Sequence, residues 1–250
     1  MGDKSRIEWT EATWNPTTGC DRTSPGCDNC YAMSLARRMK AMGQPKYQRD
    51  GDARTSGPGF GLTIHHDALD IPRRWKAPRT IFVNSMSDLF HNEVPVDFIR
   101  EVFTVIAETP QHNYQVLTKR SKRLAQLASE LTWSANLWMG VSVENDRYAF
   151  RIDHLRQVPA AIRFVSAEPL LGPLPRLDLA GIDWLIAGGE SGPGARPMEL
   201  EWATDLRDQC RAAGVAYFFK QWGGATAKAG GRDLDGQTYD EMPTVKRGTA

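Results

Sequence analysis

The chain has 250 residues, and its 31 lysines and arginines against 30 aspartates and glutamates leave a net charge of +1. This balance excludes a protein that binds nucleic acid through overall positive charge, so any basic surface must be local. With 41% hydrophobic and 24% charged residues, the composition is that of an ordinary globular protein, and no apolar run approaches the roughly eighteen residues of a membrane span. Residues 1–13 are polar and lack the apolar centre of a secretory signal. We therefore expect a cytoplasmic protein with no membrane association and with reduced thiols.

The first feature along the chain is a group of three cysteines. Cys20, Cys27 and Cys30 lie within eleven residues, whereas Cys210 is alone far downstream. In a reducing compartment, such a group indicates a metal site rather than a set of disulfides. A structural zinc ion usually has four ligands, whereas a 4Fe–4S cluster held by three thiolates leaves one iron open to a cofactor. The loop offers no fourth cysteine or histidine, so it favours the cluster, with a structural zinc knuckle as the alternative.

The rest of the chain reads as alternating strands and helices. Residues 43–61 are rich in Gly, Asp, Arg and Ser and predict a long loop. Six short apolar runs then predict strands that are buried on both faces, at 80–84, 114–118, 137–142, 162–166, 184–188 and 216–220. The stretches 14–19 and 62–65 are two further strand candidates. Helices are predicted at 96–108, 121–131, 146–157 and 199–213.

This alternation predicts an α/β fold with parallel strands. Nearly every predicted strand ends in polar side chains: Asn84 and Ser85, Thr118 to Arg120, Ser142 and Glu144, Ser166 and Glu168, Glu190, and Lys220 and Gln221. Because barrel enzymes assemble their active sites at the carboxyl ends of the strands, this favours a complete or partial (β/α) barrel over an open doubly wound sheet. We expect one barrel-like domain over 1–224, with the cysteine loop at 20–30, and a polar C-terminal tail at 225–250.

Several long motifs resemble a known family. They are the blocks at 7–20, 24–32, 84–90, 117–120, 140–145, 166–172, 188–197 and 219–224. Together they resemble a phage-associated three-cysteine-motif family that is grouped with radical S-adenosylmethionine (AdoMet) proteins. The match to the wider superfamily is weaker, since its usual spacing is Cys-x3-Cys-x2-Cys and here six residues separate Cys20 from Cys27.

The resemblance implies an iron–sulfur enzyme with a TIM-barrel-like fold. Its 4Fe–4S cluster would sit on the three cysteines, with AdoMet beside the open iron and a flavodoxin or ferredoxin as the protein that supplies electrons. Reductive cleavage of AdoMet to a 5′-deoxyadenosyl radical would then modify or repair a substrate. The phage link and two local basic clusters, at 73–79 and 119–123, indicate a nucleotide or nucleic acid as that substrate. The alternative is a non-enzymatic nucleic-acid-binding protein that contains zinc or a cluster.

The resemblance also implies where the cofactor would bind. Ser85, Ser87 and Asp88 follow a strand at the place where the superfamily holds the amino group of AdoMet. Lys119 or Arg120 would meet its carboxylate. The catalytic residues stay unassigned.

Two further positions complete the predicted cofactor site. Ser142 and Glu144 resemble the polar pair that contacts the ribose, and their spacing on a strand points both to one face. Glu190 lies in a glycine-rich loop at 188–194 that follows a strand, where it either faces a ligand or belongs to a structural turn.

Overall fold

The computed structural model of the chain describes residues 5, 7–226 and 229–244. In chain order the strands are β1 (Ala12–Trp14), β2 (Thr17–Thr18), β3 (Thr63–Ile64), β4 (Thr80–Val83), β5 (Asn113–Thr118), β6 (Leu137–Ser142), β7 (Ile162–Ala167), β8 (Trp184–Gly188) and β9 (Ala216–Gln221). The helices are α1 (Tyr31–Ala41), α2 (Ile71–Arg74), α3 (Val96–Glu108), α4 (Ser121–Leu127), α5 (Phe150–Arg156) and α6 (Leu200–Ala213). Across these described residues, no helix has the length and apolar character needed to cross a membrane.

Seven of the strands form one sheet in the order β1-β4-β5-β6-β7-β8-β9, and every neighbouring pair is parallel. From β4 onward, spatial order follows sequence order, because each crossover returns the chain to the next position in the sheet. Four of these crossovers contain a helix, whereas residues 168–183 between β7 and β8 form none. The result is an α/β half-barrel, which confirms the partial form of the predicted barrel. The carboxyl ends of all seven strands meet along one rim.

The predicted elements agree closely with the structure from residue 80 onward. All six apolar runs are strands whose bounds differ from the prediction by no more than one residue. The helices predicted at 121–131 and 146–157 are shorter α-helices, continued or preceded by 3-10 turns at Ala128–Glu130 and Asp146–Tyr148. The helix over 199–213 ends at Gly214, whose φ of 67° is the left-handed conformation that glycine adopts without strain.

The first half of the chain differs more from the prediction. The first sheet strand is Ala12–Trp14 rather than the stretch 14–19, and Thr17–Thr18 instead pairs antiparallel with Thr63–Ile64 outside the main sheet. Helix α1 was not predicted because it buries only alanines, Ala32 and Ala36, and so shows no bulky apolar stripe.

The two faces of the sheet bury different side chains. The helix-facing side carries mostly aliphatic residues together with a few aromatic ones such as Tyr114 and Phe219, whereas the concave side carries a cluster of large aromatic residues: Phe82, Trp138, Phe164, Trp184 and Phe218. These aromatic groups close the amino end of the half-barrel. Higher on the same face, β6 and β7 carry serines that lie opposite one another, Ser142 and Ser166. This change from large to small side chains opens a cavity at the carboxyl rim.

The cysteine loop and the C-terminal segment are each bonded to another part of the chain. Within the long loop at 43–61, backbone carbonyls of Phe60 and Thr55 accept hydrogen bonds from the amides of Cys20 and Arg22, at 3.2 and 3.0 Å. At the other end, Asp240 bridges antiparallel to Phe218 of β9, and Leu234 is fully buried. Residues 227–228 and 245–250 of the predicted tail lie outside the described residues.

Candidate functional site

A cavity of about 800 Å³ opens at the carboxyl rim of the half-barrel. Its wall contains all three cysteines of the loop, and its floor contains Trp9, Phe82 and Leu117. The predicted cofactor contacts Ser85, Ser87, Asp88, Lys119, Arg120, Ser142 and Glu190 also line it, whereas Glu144 is not among the lining residues. Cys210 is fully buried in α6 and belongs to the helix-facing core.

The three thiols lie in different electrostatic surroundings. Burial raises the pKa of Cys20 to about 12, although Arg120, whose Nη1 donates to Cys20 Sγ at 3.3 Å, acts in the opposite direction. Burial also raises the pKa of Cys30. Burial acts against the Cys27 thiolate as well, but Lys119 and hydrogen bonds within the loop bring its net pKa below the ordinary value. Arg120 and Lys119 therefore favour the thiolate forms, but only for Cys27 does this effect exceed that of burial.

Zinc and a 4Fe–4S cluster, the two groups that the sequence predicts, make different demands on the ligands around them. Within residues 5, 7–226 and 229–244, no three or more His, Cys, Asp and Glu side chains are arranged to hold a metal ion. The described residues therefore do not form the closed four-ligand shell of a structural zinc ion. A 4Fe–4S cluster instead needs its thiolates distributed around a common space. Cys20, Cys27 and Cys30 supply three thiols to one cavity, which is the ligand type that such a cluster takes, but within the described residues they are not arranged closely enough to hold a metal ion.

Glu144 supports the cysteine loop from below and does not reach the cavity. Its carboxylate is fully buried, accepts a hydrogen bond from Arg151 Nη1 at 2.8 Å, and accepts another from the hydroxyl of Ser24. Gly26 lies directly against it, and a Cβ at that position would stand 2.6 Å from Glu144 Cγ. The ribose contact of Glu144 therefore stays a prediction, since in this structure the carboxylate is bonded to Arg151 and to Ser24 of the loop.

Glu190 holds the same loop from the side. Its carboxylate accepts hydrogen bonds from Asn29 Nδ2 at 2.8 Å, and from Arg196 Nε at 2.9 Å and Nη2 at 2.5 Å. Arg196 Nη2 also donates to the carbonyl of Pro25 at 2.8 Å. Burial alone would raise the pKa of Glu190, but the hydrogen bonds from Arg196 and Asn29 outweigh it and lower that pKa. Glu190 lines the cavity, yet its oxygen atoms are already occupied.

The predicted site residues near β4 and β5 likewise bind one another. Asp88 accepts hydrogen bonds from the hydroxyl of Thr118 at 2.7 Å, the amides of Phe90 and Lys119 at 3.0 Å, and Arg120 Nη1 at 3.2 Å. These four donors fill most of the accepting capacity of one carboxylate. Asp88 and Arg120 thus form a buried pair that fixes the position of the Cys20 thiol.

The two serines after β4 are tied to neighbouring backbone and amide groups. The hydroxyl of Ser85 donates to Asn15 Oδ1 at 3.2 Å, and that of Ser87 donates to the carbonyl of Thr17 at 2.9 Å. Both contacts link β4 to the segment that leads from β1 into the cysteine loop. The serines line the cavity, and their hydroxyl protons point to these partners.

One charged pair was not selected from the sequence. Lys220 of β9 and Glu168, which follows β7, both line the cavity, and Lys220 Nζ lies 3.0 Å from Glu168 Oε1. The sequence does show that both are polar residues at the ends of predicted strands. Their pairing was not visible, because it depends on the spatial order of β7, β8 and β9.

The fold and site together define a half-barrel α/β protein with a three-cysteine loop over the carboxyl ends of its strands. The chain belongs to the family described as protein of unknown function (DUF5131), whose model matches residues 4–243. No curated protein matches the chain.

Solved structures of spore photoproduct lyase are similar to the chain. A single-site mutant of that protein aligns with a TM-score of 0.49 and 14% identity, over 76% of this chain and 58% of the other. The complex with dinucleoside spore photoproduct gives a TM-score of 0.48, 15% identity and the same coverages. A double mutant with bound AdoMet and dinucleoside spore photoproduct gives 0.47, 14% identity, 75% and 58%. The chain thus spans 58% of the length of these structures.

Proposed function

We propose that this protein is an iron–sulfur enzyme of the radical AdoMet type. The observation that carries the proposal is that three cysteine thiols and the polar carboxyl ends of a parallel half-barrel share one cavity of about 800 Å³. Cys20, Cys27 and Cys30 would hold a 4Fe–4S cluster, and a flavodoxin or ferredoxin would reduce it. When bound, that cluster supplies the electron that cleaves AdoMet into methionine and a 5′-deoxyadenosyl radical.

The roles of the surrounding residues follow from their contacts. Arg120 donates to the Cys20 sulfur and would compensate the charge of that thiolate when it holds a cluster. Glu144 and Glu190 keep the loop seated on the rim. At the floor, Trp9 and Phe82 meet edge to face with ring centroids 4.9 Å apart. An apolar floor of this kind excludes water, which protects a reactive radical from side reactions.

The proposed substrate is a nucleotide or a nucleic acid, and the charges on the surface favour a small nucleotide. Of the two basic clusters, the one at 73–79 precedes β4, so it lies at the amino end of the strands, away from the cavity. There Arg73 pairs with Glu108. In the second cluster, the guanidinium of Arg123 donates to backbone carbonyls such as that of Val94. A ligand that enters the cavity fits these observations better than a phosphate backbone bound across the surface.

Anaerobic purification followed by iron and zinc analysis tests the cluster. We expect about four irons per chain and a brown protein, and alanine at any one of Cys20, Cys27 or Cys30 should abolish the colour. Cys210→Ala is the matched control and should keep it, because that thiol is buried in the helix-facing core. Stoichiometric zinc without iron would contradict the proposal and favour the zinc-containing alternative.

The reaction is tested separately. Reduced, cluster-loaded protein is incubated with AdoMet, and the products are separated by chromatography. We expect 5′-deoxyadenosine and methionine to appear together. A protein that holds the cluster but releases neither product would be a binding or redox protein rather than an enzyme of this type.

A further inference from the structure

The ion pair between Glu168 and Lys220 spans a strand that lies between them. Glu168 follows β7 and Lys220 belongs to β9, so their side chains meet across the end of β8. They can do so because β8 ends in Gly188, where a Cβ would stand 2.6 Å from Glu168 Oε1. The missing side chain at this position therefore leaves the room in which the pair forms.

This pair has hydrogen-bonding capacity to spare, unlike two other carboxylates on the cavity wall. Asp88 accepts four hydrogen bonds, and Glu190 is enclosed by Arg196 and Asn29. Within the described residues, Glu168 accepts one further hydrogen bond, from the hydroxyl of Ser166 at 3.4 Å. An ammonium group has three donors, and that of Lys220 has Glu168 as its charged partner in the same residues.

The charges of the pair restrict the ligand that it can take. Both side chains are mostly buried, with 14% of Glu168 and 23% of Lys220 exposed. A simple anion would bind Lys220 but lie beside the Glu168 carboxylate, and a simple cation would meet the reverse problem. A ligand group with one charge of each sign avoids both problems.

We infer that Glu168 and Lys220 form a binding site for the zwitterionic end of an α-amino acid. The ligand's carboxylate would pair with Lys220 and its ammonium group with Glu168, so that one ion pair becomes a closed set of four alternating charges. AdoMet carries such an end, and on that reading the inference rests on the proposed function. A free amino acid carries the same chemistry and is the other source.

Calorimetric titration of the full chain, purified anaerobically, distinguishes these sources. The probes are S-adenosylhomocysteine, free methionine, and 5′-methylthioadenosine, which keeps the adenosine but lacks the amino-acid end. Lys220→Met and Glu168→Gln should each weaken the binding of S-adenosylhomocysteine by about tenfold to a hundredfold, as expected for the loss of one charged hydrogen bond. The same variants should leave 5′-methylthioadenosine unaffected. If methionine alone binds, with the same sensitivity to both variants, the site serves a free amino acid.

Two further variants serve as a control and as a test of the pair's geometry. Lys122→Met removes an exposed lysine of α4 that does not line the cavity, and it should bind every probe as the wild type does. Gly188→Ala keeps all charges but displaces the Glu168 carboxylate, and it should weaken S-adenosylhomocysteine as the charge variants do.

The inference is overturned if the wild type binds neither zwitterion, or if Lys220→Met and Glu168→Gln bind S-adenosylhomocysteine with unchanged affinity. An equal loss of S-adenosylhomocysteine and 5′-methylthioadenosine would also overturn it, since that pattern means general damage to the cavity. Failure of the proposed function looks different. Zwitterion binding would persist in a protein that holds no iron and releases no 5′-deoxyadenosine.

Discussion

The carboxylate of Glu190 should determine how firmly the cysteine loop is held. Glu190→Gln keeps the shape of the side chain but removes its charge, and the new amide NH₂ faces the donors on Asn29 and Arg196. The bonds lost are hydrogen bonds to a charged group, each contributing about 1.5–3 kcal/mol. The side chain of Arg196 is 34% exposed, and solvent screening reduces its share. We therefore expect the closed loop to lose about 2 kcal/mol, which raises its opening equilibrium about 30-fold.

Hydrogen exchange followed by mass spectrometry measures this opening directly. The amides of Cys27, Asp28 and Cys30 are bonded within the loop, to the carbonyls of Ser24, Pro25 and Cys27 at 2.9, 3.1 and 3.3 Å. In Glu190→Gln, peptides covering 24–30 should exchange about 30-fold faster, while peptides from the central strands keep their rates.

Glu130→Gln is the matched control for this experiment. It removes a carboxylate that pairs with Arg100 at the surface, and such pairs contribute little. Loop exchange should therefore stay at the wild-type rate. Unchanged exchange over 24–30 in Glu190→Gln itself would refute the view that this carboxylate holds the loop.

Three further predictions concern pH and the core. Because the folded pKa of Glu190 is lowered, its contribution to the stability of the closed loop is complete above about pH 4.3, the ordinary glutamate value, and is lost as the pH falls through the lowered pKa. After correction for intrinsic exchange rates, hydrogen exchange of residues 24–30 should therefore rise in acid in the wild type and not in Glu190→Gln. Gly140→Ala places a Cβ 2.4 Å from the ring of Phe164, so denaturant titration should show a loss of about 1–3 kcal/mol, and unchanged stability would mean that the ring moves freely. Leu206→Ala empties a fully buried position on α6 and should cost about 2–5 kcal/mol, whereas Leu200→Ala, at a position 44% exposed, should cost under about 0.5 kcal/mol; equal losses would contradict the assigned faces of α6.

The strands of the second half could be predicted because their apolar runs are continuous and end abruptly. Trp184–Gly188, for example, is buried along its whole length, and a strand buried on both faces has this composition. Helix α1 escaped prediction for the opposite reason. Its contact surface is made of alanines, and small residues give a weak periodic signal even where the packing is close.

The candidate site was predictable in position but not in pairing. Both Glu144 and Glu190 follow predicted parallel strands, and because the carboxyl ends of such strands meet at one rim, the sequence predicts them near the cysteine loop. Their hydrogen-bond partners could not be predicted because they are distant in the sequence: Ser24 lies 120 positions before Glu144, and Asn29 lies 161 positions before Glu190. The structure shows both carboxylates, which the sequence predicts to contact a cofactor, bonded to the loop. For the same reason Glu168 and Lys220, noticed only as polar strand ends, could not be recognised as a pair.

The C-terminal segment that contains Tyr239 and Glu241 covers the edge strand β9 of the half-barrel. An open sheet has two outer strands whose backbone groups can pair with another molecule. On the β9 side, the amide of Phe219 donates to the carbonyl of Tyr239 at 2.9 Å, and the amide of Glu241 donates to that of Tyr217 at 3.2 Å. A version of the protein shortened before residue 229 would lose these bonds and present a bare strand to its neighbours. Self-association through that strand would then compete with recovery of soluble protein, so shortened versions designed for crystallisation should retain the chain through Glu241.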